Sequence, residues 1–268
     1  MKTLMAMGGA LNRKKPLVLR EFVRRAGGTE ARIAILPQAS ALDDTGQYYE
    51  DLFKELGAAE AISLRFRQRN EADSPERLAI LRKASGIFIA GGNQMRLAAL
   101  LGGTMFESEL HQAYQRGVII GGTSAGAAVL SQVMIAYGKN GSTPREGICQ
   151  FLPGFGFSKK IIFDQHFRQR DRIGRLIYAV TTSPGVLGVG VDEDTAAILV
   201  DDDEITVAGS GSVMILDGSQ IVETDVAEIE KKAPIAVSGL NLHVLTDGCT
   251  YRLATRQTSI PSKVLLSE

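Results

Sequence analysis

The stretch Val118–Leu130, VIIGGTSAGAAVL, decides the fold and holds the most informative motif of the sequence. A β-branched run comes first, then the pattern Gly-x-Ser-x-Gly, then an alanine-rich segment. A strand, a tight turn and a helix in this order are typical of a nucleophile elbow, which presents a serine at the carboxyl end of a parallel strand. The stretch therefore predicts a parallel α/β sheet with Ser124 as the candidate nucleophile. The alternative is a glycine-rich turn in which Ser124 only caps the helix.

On both sides of this stretch, short apolar runs alternate with helical patterns. The predicted strands of this part are Arg32–Leu36, Gly86–Ala90, Val118–Ile120, Lys160–Phe163 and Val186–Val191. The predicted helices are Gln47–Leu56, Pro75–Ala84, Gln94–Leu101, Phe106–Arg116 and Ala125–Val133. Such alternation predicts right-handed crossovers and a mostly parallel, doubly wound sheet with helices on both faces.

The pattern changes after about residue 186. Short apolar runs are then separated by Asp and Gly turns, at Ala196–Val200, Ile205–Ala208, Val213–Leu216 and Leu242–Leu245. These runs predict antiparallel strands added to the C-terminal edge of the sheet. No Pro/Ser-rich linker interrupts the chain. We therefore expect one α/β domain over residues 1–268.

The amino-acid composition excludes several classes of function. The 268 residues include 30 Lys plus Arg and 30 Asp plus Glu, so no net charge draws the protein to nucleic acid or to an anionic membrane. No apolar run is long enough to span a bilayer, and two cysteines make no disulfide framework, which predicts a cytoplasmic protein. No Cys/His cluster has metal-ligand spacing and no Gly-x-Gly-x-x-Gly follows the first strand, so we expect no metal and no cofactor.

A serine nucleophile needs a base, and the chain has three histidines. His111 lies in a helical pattern among acidic neighbours, which predicts a surface position, and His243 lies in a late strand. His166 follows an apolar strand in FDQHF, at the end where a catalytic group is presented, and is the candidate base. The carboxylate that orients it is to be found among Glu146, Asp164, Asp192, Glu193 and Asp194. Position at a strand end favours Glu193 without separating it from its two Asp neighbours.

An oxyanion hole needs two preorganised donors. The backbone N–H of Ala125, directly after the candidate nucleophile, is one candidate. Gly91-Gly92-Asn93 ends the predicted strand at residues 86–90 and is the candidate source of the second, because glycine lets the backbone approach a substrate closely. The alternative is an ordinary turn between a strand and a helix.

Three segments together carry a resemblance to a known family: GGTSAGA (121–127), IAGGNQMRL (89–97) and DQHFRQRDRIGRL (164–176). They resemble cyanophycinases, serine exopeptidases of peptidase family S51 that are related to aspartyl dipeptidase (peptidase E). VDEDTA (191–196) and MGGAL (7–11) extend the likeness over nearly the whole chain. The resemblance implies a class I amidotransferase-like fold and a homodimer that uses no metal. It also implies hydrolysis of cyanophycin, multi-L-arginyl-poly-L-aspartate, with release of β-Asp-Arg dipeptides.

Position by position, the resemblance implies roles for individual residues. Ser124 matches the nucleophile, His166 the base and Glu193 the acid. The family's substrate-pocket positions fall on Gln94, Asp164, Gln165, Arg170, Arg172 and Arg175. Two residues depart from the family pattern: Asn93 stands where Asp is common, and Arg168 where a small polar residue is common.

The charges of residues 164–175 agree with that assignment on physical grounds. The segment holds four Arg and two Asp in a chain whose formal net charge is zero. Arg forks bind carboxylates, and Asp164 is a candidate receiver of a substrate guanidinium. The density of Arg favours the end of a polymer over a simple dipeptide. The other hypotheses are an aspartyl dipeptidase-like enzyme that acts on small Asp-containing peptides, and a non-catalytic binding module with the same fold.

Overall fold

The computed structural model describes residues 1–262, and within them the chain forms α-helices and β-strands in alternation. The helices are α1 Leu17–Arg25, α2 Thr45–Glu55, α3 Pro75–Lys83, α4 Gln94–Leu101, α5 Met105–Gln115, α6 Ala125–Ala128 and α7 Ile173–Thr182. None of these is long and apolar enough to cross a membrane.

The strands of the first half are β1 Thr3–Met7, β2 Arg32–Leu36, β3 Glu60–Ser63, β4 Gly86–Ile89, β5 Ile119–Thr123, β6 Val133–Gly138, β7 Cys149–Pro153 and β8 Ile161–Gln165. Those of the second half are β9 Leu187–Val191, β10 Thr195–Val200, β11 Glu204–Gly209, β12 Ser212–Asp217, β13 Glu223–Thr224, β14 Val237–Ser238, β15 Asn241–Thr246, β16 Thr250–Arg252 and β17 Gln257–Ser259.

Nine strands form the main sheet in the order β17-β16-β11-β10-β1-β5-β4-β2-β3. The five strands at one end of this order, β1, β5, β4, β2 and β3, are parallel to one another. The pairs from β1–β10 to β16–β17 at the other end are antiparallel. Apolar clusters cover both faces: Leu4 and Ala6 of β1 point into one cluster, and Met5 and Met7 into the other. The predicted α/β fold with helices on both faces and antiparallel strands at one edge is confirmed.

A second sheet of four strands lies beside the first, in the order β15-β12-β9-β8. Here the expectation of one sheet is wrong, because the runs at 160–163, 186–191, 213–216 and 242–245 pair with one another and not with the main sheet. Glycines bring helix α7 close to this sheet: a Cβ at Gly188 would lie 2.7 Å from a methyl of Val180. A Cβ at Gly190 would lie 2.5 Å from the ring of Phe167. The second sheet therefore fixes the segment that follows β8.

The helix after Ser124 is shorter than expected. It ends at Ala128 and not at Val133, and β6 then pairs with β7 in a hairpin. The carbonyls of Val129 and Leu130 accept hydrogen bonds from later segments, 2.7 Å from Phe155 N and 3.0 Å from Ser158 N. These long-range bonds replace the helical ones, which the local sequence pattern does not reveal.

Candidate active site

Ser124 lies on a strained turn between β5 and α6. Its backbone angles, φ 53° and ψ −114°, are unusual for a residue with a side chain, and such a conformation costs about 1–3 kcal/mol. The flanking glycines are sterically required: a Cβ at Gly122 would lie 2.0 Å from the carbonyl oxygen of Gly126, and one at Gly126 2.1 Å from that of Ile89. This is the geometry of a nucleophile elbow.

His166 meets Ser124 from the other sheet. It follows β8, and its Nε2 lies 3.0 Å from Ser124 Oγ. Its Nδ1 lies 2.6 Å from Oε1 of Glu193, the second residue after β9. Strands β8 and β9 are parallel neighbours, so their carboxyl ends present both groups at the same edge. A carboxylate bound to Nδ1 keeps a neutral imidazole in the tautomer that accepts a proton at Nε2.

The other candidate carboxylates bind elsewhere. Glu146 Oε2 accepts a hydrogen bond from Lys232 N at 3.2 Å, in an exposed loop. Asp194 Oδ1 accepts one from Asn12 N at 2.9 Å. Asp164 and Asp192 are buried and accept hydrogen bonds from other donors. Glu193 is the carboxylate in contact with the histidine ring within residues 1–262.

The environment of His166 keeps the imidazole neutral. Burial lowers the pKa of His166 below the ordinary 6.5, and the hydrogen bond that His166 donates to Glu193 opposes this by raising the pKa. The guanidinium groups of Arg170 and Arg172 lower the pKa further. A neutral imidazole at pH 7 can accept the proton of a serine hydroxyl, as a general base must.

Gly8 and Gly9 belong to this site, although residue-based reasoning gave them no role. The carbonyl of Gly8 accepts a hydrogen bond from His166 N at 2.7 Å. Gly9 has φ 101°, and a Cβ there would lie 2.3 Å from His166 Cε1. The signal was a Gly-Gly pair at the end of the first strand, where the backbone approaches another group closely.

Two of the three expected oxyanion-hole residues offer a free donor. Within the described residues, the N–H groups of Ala125 and Gly92 donate no hydrogen bond. Gly91 beside them lies against the nucleophile: a Cβ there would be 3.1 Å from Ser124 Cβ. The third expectation is wrong, because Asn93 N donates to a carbonyl at 2.9 Å and its side chain caps α4. The backbone N–H of Asn93 is therefore already hydrogen-bonded within the fold.

Ser124 opens into a cleft of about 510 Å³. Five of the six predicted pocket residues line it, and the lining consists of Gly92, Asn93, Gln94, Met95, Ser124, Ala136, Tyr137, Gly138, Gln165, Arg170, Arg172 and Arg175. Gln165 Oε1 lies 3.3 Å from Ser124 Oγ. Gln94 donates from Nε2 to the carbonyl of Ile135 at 3.1 Å and so attaches the β6 strand to helix α4.

Asp164 does not lie in the lining, and the expectation that it receives a substrate guanidinium is wrong. It is 2% exposed, and the chain's own arginines occupy its oxygens. Arg175 Nε donates to Oδ2 at 2.6 Å, and Arg172 Nη1 to Oδ1 at 3.3 Å. None of the described residues that line the cleft is Asp or Glu. Asp164 therefore holds two arginines in place, and the cleft itself is cationic.

Arg172 lines the cleft and is largely buried. It is 7% exposed, and its Nε has no hydrogen-bond partner within the described part of the chain. Burial lowers the pKa of Arg172 to about 10, so the guanidinium still carries its charge at pH 7. A buried donor without a partner costs free energy.

The two remaining histidines lie away from Ser124. His111 is half-buried, with its ring 4.7 Å from that of Phe157, so the expected surface position is wrong. The reason is the contact with Phe157. The acidic neighbour Glu109, on another face of the helix, is also buried and accepts from Arg82 at 2.9 Å. His243, in β15 of the second sheet, has its ring 5.3 Å from that of Tyr251 in β16 of the main sheet.

A serine on an elbow, bonded to a histidine that contacts a carboxylate, is the arrangement of a serine-type hydrolase. The fold and the site define this class. The sequence profile of peptidase family S51 matches residues 4–208, and the chain belongs to that family. It is therefore a serine-type peptidase, as the resemblance implied.

Relatives agree with the family. The chain is 40% identical over 257 residues to a protein named cyanophycinase from Synechococcus elongatus, which covers 95% of this chain and 80% of that protein. It is 38% identical over 242 residues to the cyanophycinase of Geminocystis herdmanii, covering 90% and 89%. The crystal structure of a peptidase from an acI-B1 Actinobacterium has the same fold, with a TM-score of 0.68 at 20% identity, covering 94% and 97%.

Proposed function

We propose that this peptidase hydrolyses cyanophycin and releases β-Asp-Arg dipeptides from the end of the polymer. The observation that carries the proposal is the Ser124–His166–Glu193 chain of hydrogen bonds at the mouth of a cleft lined by three arginines. Every unit of multi-L-arginyl-poly-L-aspartate carries the free α-carboxylate of its arginine, and the chain end carries one more. Cleft arginines complement these carboxylates. The relatives named cyanophycinase support the same substrate.

In the proposed mechanism Ser124 Oγ attacks the carbonyl carbon of an aspartate backbone amide, and His166 Nε2 takes the hydroxyl proton across 3.0 Å. Glu193 stabilises the imidazolium through its 2.6 Å contact with Nδ1. The N–H groups of Ala125 and Gly92 face the developing oxyanion. His166 then gives the proton to the leaving amine, and an acyl-enzyme remains on Ser124. Water, activated by His166, hydrolyses this ester and restores the enzyme.

Charge also explains the choice of a polymer end. Arg170, Arg172 and Arg175 all line the cleft and belong to the segment that follows His166. A terminal carboxylate bound there would place the last aspartate unit next to Ser124. We propose this contact as the reason that cleavage proceeds from the end. Such binding energy orients the scissile bond before reaction.

The test is incubation of the protein with purified insoluble cyanophycin, followed by mass analysis of the soluble products. We expect β-Asp-Arg as the main product, and no release by the S124A variant. Turnover of isoaspartyl or aspartyl dipeptides without attack on the polymer would favour the aspartyl dipeptidase-like alternative. Absence of hydrolysis of both classes would favour a binding module.

We also propose a cytoplasmic homodimer. Both cysteines, Cys149 and Cys249, are free and buried, which suits a reducing compartment. The homodimer follows from the family resemblance. Light scattering coupled to size-exclusion chromatography tests it, with a mass of twice 28.8 kDa as the expected result.

A further inference from the structure

Asp192 is a buried carboxylate that lies one residue before Glu193. It is 1% exposed. Its Oδ1 accepts a hydrogen bond from Arg168 N at 3.0 Å. Its Oδ2 accepts two from Ser212, at 3.0 Å from the backbone N and 2.8 Å from Oγ. Arg168 Nε also lies 3.5 Å from Oδ2. A charged group this deeply buried is costly unless donors surround it, and here three hydrogen-bond donors and this guanidinium do.

The bond from Arg168 N joins the two loops that carry the proposed catalytic groups, and the two bonds from Ser212 join the Asp192 loop to β12. Arg168 is two residues after His166, Asp192 is next to Glu193, and Ser212 begins β12, the neighbour of β9. His166 has φ 47° and Asp194 φ 52°, so both loops are held in conformations that residues with side chains rarely adopt. Fixed partners are needed to maintain such conformations.

We propose that Asp192 is a positioning residue that sets the hydrogen bond between Glu193 and His166. The inference rests on the catalytic roles proposed above. Asp192 touches neither the imidazole nor the cleft, and it acts through the backbone of both loops. Residues that hold a catalytic group to within a fraction of an ångström commonly determine the rate.

The carboxylate is specifically suited to this task. Its two oxygens accept from donors on opposite sides, Arg168 N and Ser212 N. An asparagine offers one oxygen and one NH₂ group, so one of these backbone donors would face another donor. D192N should therefore release one of the loops while the volume of the side chain stays the same.

The experiment compares D192N with D217N in steady-state kinetics on a soluble cyanophycin trimer. Asp217 is a matched control: it is also 1% exposed, it lies at the far end of β12, and it accepts from Ser219 N at 2.9 Å and pairs with Arg256. We expect D192N to lower kcat about tenfold or more with KM changed less than about threefold, and D217N to leave both near wild type at a temperature where it is folded.

Two readouts separate positioning from general destabilisation. The charged groups facing His166 are Glu193, Arg170 and Arg172, and of these Glu193 raises the pKa of His166. A loosened contact should move the acidic limb of the kcat/KM profile to lower pH. The downfield ¹H NMR resonance of the His166 Nδ1 proton should also broaden or vanish in D192N and persist in D217N. This resonance requires no substrate.

If D192N does not fold, the variants S212A and S219A test the positioning role of Asp192 instead. S212A keeps the carboxylate charge and removes only the 2.8 Å bond, so a shift of the acidic limb in S212A and none in S219A would support positioning. The proposal is overturned if D192N, or S212A in its place, has the kcat, the pH profile and the resonance of its control. An active S124A variant would instead overturn the proposed function.

Discussion

Replacing Glu193 with Gln tests the catalytic arrangement most directly. Glu193 Oε1 lies 2.6 Å from His166 Nδ1, and the side chain is one-third exposed, so the substitution creates no cavity and leaves no buried charge. The fold should be unchanged. A glutamine can donate its NH₂ group to Nδ1, which places the imidazole proton on Nε2, where it cannot accept the proton of Ser124.

The expected loss is about two orders of magnitude in kcat. An Asp-to-Asn change in the well-known serine protease triad costs about four orders. Here the carboxamide can rotate in partly exposed surroundings and recover the productive tautomer part of the time. A hundredfold loss corresponds to about 2.7 kcal/mol of transition-state stabilisation. The same change removes the bond that raises the pKa of His166, so the acidic limb should also move to lower pH.

The assay is steady-state hydrolysis of a soluble cyanophycin oligomer across pH, with the melting temperature measured alongside. E146Q is the control, because Glu146 binds a backbone N–H in an exposed loop. It should have wild-type activity. A crippled E146Q together with an active E193Q would refute the choice of acid and leave the family assignment intact.

Four further outcomes follow from the site. The S124A variant should lose activity by several orders of magnitude with its melting temperature unchanged, since no acyl-enzyme can form; residual turnover near wild type would refute the mechanism. G9A should lose at least about a hundredfold in kcat, because its Cβ would lie 2.3 Å from the His166 ring, whereas G28A, at φ 61° with no atom within 4 Å, should keep full activity. In D164N the free energy of unfolding measured by urea titration should be lower by about 3–5 kcal/mol, because the substitution removes the charge that two buried arginines pair with. An unchanged urea midpoint would contradict that role. Wild-type kcat/KM should be constant near pH 7 and should fall at acidic pH with an apparent pKa below 6.5. The reason is that the lowered pKa of His166 keeps the imidazole unprotonated, and the enzyme active, down to that pKa. A midpoint of the acidic limb above 6.5 would contradict the role of burial.

Local sequence patterns predicted the parts of the fold that local chemistry determines. The strand, turn and helix around Ser124 and the parallel strands β2, β4 and β5 are confirmed, because continuous apolar runs and required glycines are visible in the chain itself. Helix α1 and edge strand β3 were not predicted, since Leu17–Arg25 is rich in charge and Glu60–Ser63 is short and half-exposed.

What the sequence could not provide was the pairing of distant segments. Nothing in the run at 213–216 distinguishes a strand at the edge of the main sheet from one in a second sheet. The same limit explains Asp164 and Asn93. Their residue types suit a pocket, but whether their polar groups are free depends on partners such as Arg175 that only the folded chain brings near.

The proposed nucleophile and its proposed base come from different sheets, and this division affects how the enzyme gains and loses activity. Ser124 stands on the main sheet, whereas His166 and Glu193 stand on the smaller one, and the Gly8 carbonyl bridges the seam. The turn that holds Ser124 can therefore be correctly folded while the enzyme is inactive. A partial separation of the two sheets at the contact between His166 N and the Gly8 carbonyl would abolish turnover before either sheet unfolds. Heat inactivation would then precede the loss of secondary structure. Activity therefore depends on the contact between the two sheets, which share one apolar core cluster.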